Sequence, residues 1–170
     1  DILLVEKVKL DSKETGGSLF DKLSGVGAAL LVKTLDELEK GTVKPVKQNE
    51  TEATHVKMLD KSFGNIDFSM EAARIERLIR GLNPWPSAFT HFNGKLLKIW
   101  DADVCDDVVC ESGESVVNGM ITQVDNNSFI VKCGDNSLKI NELQLEGKKR
   151  MKTQDFLRGN HINTGDILGK

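Results

Sequence analysis

Tyrosine is absent from this chain of 170 residues, and only seven phenylalanines and two tryptophans supply aromatic rings. So few rings leave little for the serial base stacking that holds single-stranded nucleic acid. Positive charge does not dominate either: a formal net charge of -3 excludes a broadly cationic coat, though not a local basic patch. The three cysteines, Cys105, Cys110 and Cys133, form no CxxC pair and have no histidine at zinc spacing. They read as reduced thiols of a cytosolic protein. No apolar run approaches the roughly 18 residues of a membrane span, so a soluble protein with no membrane partner is expected.

Catalytic patterns are missing as well. His55, His91 and His161 sit among polar residues, without the nearby nucleophile and orienting acid of a hydrolytic triad. There is no HExxH, no P-loop, and no GxGxxG after a strand. Gly25-Val26-Gly27 is no phosphate cradle, because a periodic helix runs through it. Neither a catalytic residue nor a metal site is expected in the chain.

What the sequence has is concentrated in RGLNPWPSAFTHFNGKLLKIW, Arg80 to Trp100, with two of the three prolines and both tryptophans. Ahead of it, Ile75, Leu78, Ile79 and Leu82 make one apolar helical stripe, with Arg74, Arg77 and Arg80 turned away. Ser69 is the expected N-cap, and Gly81 and Pro84 end the helix near Arg80. Pro84 and Pro86 then stiffen the exit path, and Trp85 is held where a large ring can dock. Strands follow at 88–92 and 95–104, joined by Asn93-Gly94 in a type I′ turn. Further strands are expected near 115–124, 127–133 and 137–145, with a short helix from Met151 to Arg158. Five short strands in about 60 residues suggest a small barrel of the OB type, so the fold class is mainly β with flanking helices.

The N-terminal part differs. Ile2 to Val5 reads as a strand already under way, and Thr15 opens a helix whose Leu19, Leu23, Val26 and Leu30 line one face and which runs on to Gly41. One strand and one amphipathic helix cannot bury each other, so a sheet is missing and the chain reads as cut from something longer. From 42 to 62 the sequence is polar and aperiodic, a linker.

Charge is segregated. DADVCDDVVCESGE holds six acids, with no Lys or Arg between Ile99 and Val131, whereas Lys148, Lys149, Arg150 and Lys152 crowd the entry to the last helix. A basic cluster beside a barrel suits phosphate contacts, which Arg74, Arg77, Arg80, Lys57 and Lys61 could extend. On composition alone a solvated face describes it equally simply.

RLIRGLNPWPSAFT with LKIW, then LQLEGKKRM and DFLRG, resembles in order and spacing the C-terminal half of methionyl-tRNA formyltransferases. NPWP is shared with formyltransferases acting on nucleotide sugars, whereas GKKRM points to the tRNA enzyme. The resemblance implies that residues 1–41 end a Rossmann-like formyltransferase domain as a strand-helix remnant. Residues 42–62 would link it to an OB-like tRNA-binding domain over 63–170. It further implies a parent enzyme that moves a formyl group from 10-formyltetrahydrofolate to the amino group of methionine on initiator tRNA. The Asn, His and Asp of that chemistry would lie upstream, in a missing catalytic domain, so this segment would hold no cofactor and be inactive alone. Asp1 matches the later aspartate of an LDTGD-like motif, and Asp166 in INTGDILG lies after the barrel, so neither takes the catalytic role. The site residues implied for tRNA are Lys148, Lys149, Arg150, Lys152, Lys57, Lys61 and Arg80. The location implied is cytoplasmic, or the mitochondrial matrix for an organelle enzyme. A stand-alone OB-like binding module, or a segment of another formyltetrahydrofolate-dependent formyltransferase or hydrolase, remains the alternative.

Overall fold

The computed structural model describes residues 1–107 and 116–169. Cys110, Glu111, Glu114 and the first residue of the strand expected at 115–124 lie outside the described residues. The chain forms two compact units, Asp1–Met58 and Leu59–Lys170.

The first unit is built on one long helix, α1, Gly16–Glu39. Thr15 caps it reciprocally: its Oγ1 accepts from Ser18 N at 3.1 Å, and its own N donates to Ser18 Oγ at 3.0 Å. After the helix, Gly41 takes a left-handed φ of 64°. The strand expected at Ile2–Val5 is reduced to a single antiparallel bridge, Ile2 to Val46. A strand persists only where a neighbour pairs with it, and the bridge comes from the segment read as linker. None of the first 58 residues is buried. Phe20, Leu31, Val32 and Leu35 stand open on α1.

The second unit is an antiparallel sheet with helices α2, Ala72–Gly81, and α3, Thr153–Leu157. Its strands are β1 (Ala88–Phe92), β2 (Lys95–Cys105), β3 (Ile121–Val124), β4 (Phe129–Lys132), β5 (Ser137–Leu145) and β6 (Met151–Lys152), in the order β1-β2-β5-β4-β3 with β6 on β5. Asn93 and Gly94 both have positive φ, 51° and 73°, as a type I′ turn requires. Inward positions alternate along the strands: Leu97, Ile99, Ala102, Leu138, Ile140 and Leu143 are buried and meet Ile75 and Ile79 of α2 in one core.

Three local expectations change. Ser69 lies in a turn, its N donating to Asp67 Oδ1, and α2 starts later, after Glu71. Gly81 is the last helical residue, and the chain leaves through cis bonds at Asn83-Pro84 and Trp85-Pro86. The final helix begins only at Thr153, because Met151 and Lys152 pair with Leu143 and Glu142 of β5. The tail then hydrogen-bonds to strands from both outer ends of the sheet. Ile121 N donates to Asp166 O at 2.8 Å, and Gly169 N donates to His91 O at 2.9 Å.

Candidate nucleic-acid interface

The turn after β5 gathers the basic cluster. Lys148 N donates to Leu145 O at 2.9 Å, Gly147 adopts a φ of 74°, and Gln144 Nε2 donates to Lys148 O at 2.9 Å. These bonds fix the turn and leave Lys148, Lys149 and Arg150 exposed, with exposed Lys152 next along β6. Among the described residues, Lys148, Lys149 and Lys152 have no carboxylate partner.

Arg150 is differently placed. Its NH2 group lies 2.5 Å from Glu142 Oε2, and its Cζ stands 4.7 Å from the centre of the Trp100 ring. The hydrogen bond to Glu142 raises the pKa of the guanidinium and offsets its charge. Arg80 is held likewise by Glu76, one turn earlier on α2, with Nε to Oε1 at 2.6 Å. Lys61 is exposed at the first turn of a short 3-10 helix, Lys61–Gly64. Lys57 is exposed at the end of the first unit.

A second feature escaped the sequence reading. Lys98 Nζ lies 5.6 Å from the centre of the same Trp100 ring that Arg150 covers. Leu97 and Ile99 point into the core, so Lys98 and Trp100 share the outer face of β2. The pairing of β2 with β5 shifts register on either side of Asp101, leaving Trp100 without an opposite residue. The signal available was the spacing of Lys98 and Trp100 in LKIW; Arg150 comes from 50 residues away and no local pattern announces it.

Beyond Trp100 the outer face turns acidic. Asn141 Nδ2 donates to Asp101 Oδ2 at 3.0 Å and to Asp103 Oδ2 at 2.8 Å. Asp107 pairs with Lys132 at 2.5 Å, which lowers its pKa. Asp101, Asp103, Lys139, Asn141 and Lys152 line part of an open cleft of about 410 Å³. Among the described residues no group of three His, Cys, Asp or Glu could hold a metal ion. No described helix is long and apolar enough to cross a membrane. Cys105 and Cys133 are free thiols, and burial pushes Cys133 up to about 12, so it is inert as a nucleophile. Asp166 is a turn residue, its Oδ2 accepting from Asn163 N at 2.8 Å.

Comparison with known proteins adds to this geometry. Residues 58–161 match the family model described as formyl transferase, C-terminal domain. The chain is 62% identical over 170 residues to a methionyl-tRNA formyltransferase of Lachnospira eligens, covering 100% of this chain and 54% of that protein. It is 48% identical over 168 residues to the protein of the same name from Agathobacter rectalis, covering 99% and 53%. The chain thus spans about half the length of the curated relatives it matches. Among solved structures, a variant of HypX from Aquifex aeolicus shares the fold with a TM-score of 0.57 at 15% identity, over 92% of this chain and 30% of that one. HypX in complex with tetrahydrofolic acid aligns with a TM-score of 0.51 at 14% identity, over 81% and 26%.

Proposed function

The chain belongs to the formyl transferase C-terminal domain family, and on that premise we propose that it is the tRNA-holding part of a methionyl-tRNA formyltransferase. The observation that carries this reading is the turn at Lys148 and Lys149, exposed cations without carboxylate partners among the described residues, in a turn shaped by the bonds of Lys148 N to Leu145 O and Gln144 Nε2 to Lys148 O. Phosphate contacts of that kind position a folded RNA without reading its bases. The parent moves a formyl group from 10-formyltetrahydrofolate to the α-amino group of methionine on initiator tRNA, in the cytoplasm, at the start of translation. Its Asn, His and Asp belong to an upstream catalytic domain, and residues 1–41 are the end of that domain. The open apolar side chains of α1 support this, since a helix with such a stripe is stable only when the stripe is covered. Residues 42–62 act as the linker, and 63–170 as an OB-like domain. The tail bonds at Ile121 and His91, which reach strands from both ends of the sheet, support a closed barrel.

Among the cations of the second unit, Lys148, Lys149 and Lys152 take the phosphates, with Lys61 as a further contact; Lys57, in the first unit, is a separate candidate. Arg150 and Arg80 contribute less, because Glu142 and Glu76 already hold them. Formylation of methionyl-tRNA tests the assignment. The chain alone should be inactive, while the full-length protein carrying Lys148→Ala and Lys149→Ala should show a raised KM for tRNA with kcat nearly unchanged. A fall in kcat at unchanged KM would contradict it.

A further inference from the structure

The geometry points to Lys98 as a phosphate-contacting residue that belongs to the same cluster, with Arg150 as the positioning residue that holds its platform; this rests on the tRNA-binding reading above. Lys98 sits opposite Gln144 in the pairing of β2 with β5, and Gln144 Nε2 bonds the carbonyl of Lys148. Directly opposed cross-strand residues lie about 5 Å apart at Cβ. Lys98 therefore stands opposite the residue that braces the turn and shares the Trp100 ring with Arg150, although 50 residues separate it from Lys148.

Two further observations favour a ligand role over a solvated face. Lys98 has no carboxylate partner among the described residues, whereas Arg150 does. Trp100 also holds Lys98 in place, since the face of its ring lies within cation-π range of both Lys98 and Arg150. A lysine ordered before binding loses less entropy when it meets a phosphate.

Strand β2 is also polar along its length. Lys95 and Lys98 precede Trp100, and Asp101 and Asp103 follow it. Of the nearby acids, Glu142 is paired with Arg150, whereas Glu146, whose Oε2 accepts from Leu96 N at 3.1 Å, keeps its charge. A phosphodiester backbone is thus attracted to the end of β2 beside Lys148 and repelled beyond Trp100. The ligand is the backbone of a folded RNA lying over Lys148, Lys149 and Lys98.

The test is binding of an initiator tRNA transcript to the full 170-residue chain, titrated between about 50 and 200 mM salt. Lys98→Ala should flatten the slope of log K against log salt by roughly 0.7 to 0.9, as one lost phosphate does. Arg150→Ala should flatten it less, and Arg150→Lys should leave it unchanged. Should Lys98→Ala unfold the sheet, Lys98→Gln, which keeps the stem over Trp100, is the substitute. In a Trp85→Phe chain, where Trp100 is the one remaining tryptophan, tRNA should change the emission, and adding Lys98→Ala should remove that change. If Lys98→Ala and Lys98→Gln keep the parental slope while Lys148→Ala flattens it, the role of Lys98 is overturned and the tRNA reading stands. If the unsubstituted chain binds no tRNA, both are overturned.

Discussion

Asp135 caps a helix that begins 63 residues before it: its Oδ1 accepts a 2.9 Å hydrogen bond from the backbone N of Ala72. Glu71, at the cap position, makes no such bond with its side chain. The neighbouring backbone fixes the arrangement, since Gly134 N donates to Met70 O at 2.9 Å. A Cβ on Gly134 would lie 2.1 Å from Ser69 O, so glycine is needed for this approach. The turn between β4 and β5 therefore anchors the start of α2.

Removing that cap should be measurable. Asp135→Ala should destabilise the second unit by about 1 kcal/mol, the usual cost of a lost N-cap, and Asp135→Asn should recover most of it. Urea unfolding of the three proteins gives the values. Equal stability of all three would show that water replaces the carboxylate at no cost.

The two units should differ in resistance to protease. None of the first 58 residues is buried, and Val56 and Met58 are about nine-tenths exposed. Trypsin should cut first near Lys57 or Lys61 and leave a resistant piece containing the sheet. Mass spectrometry of the early fragments identifies the sites, and initial cuts within 88–105 would contradict the division.

Acid should weaken the start of α1. Lys22 first, and then Ser18, bond the Glu14 carboxylate and lower its pKa from 4.5 to about 2. A depressed carboxylate stabilises the folded form above its unfolded value, and the contribution is lost as pH falls from about 4.5 through about 2. NMR titration of the Glu14 carboxyl should report the low value, and Glu14→Gln should remove this part of the acid sensitivity. A midpoint near 4.5 would mean that the contacts to Lys22 and Ser18 do not persist in solution.

What was legible in the sequence was local. Thr15 announced the start of α1, and Asn93-Gly94 announced the hairpin, because each depends on residues within four of one another. The start of α2 was misplaced because Asp135 reaches it from a distant turn. The end of the last helix was legible, but its start depended on β5 capturing Met151 and Lys152. At the candidate interface the cations of one turn were visible as a cluster. That Glu142 already holds Arg150 was not, and neither was the place of Lys98, because both follow from contacts across the sheet, whereas the Glu76–Arg80 pair is a local contact four residues apart on α2.

If the turn at Lys148 and Lys149 binds tRNA through phosphates, tRNA binding to the 170-residue chain should weaken steeply as salt rises. Each phosphate neutralised contributes roughly 0.7 to 0.9 to the slope. Lys148→Ala with Lys149→Ala should therefore flatten it by about 1.5, without loss of folding, because exposed charges contribute little stability. Discrimination of initiator from elongator tRNA should be poor in every variant. An unchanged slope and affinity in the double variant would make the turn a solvated face and contradict the account.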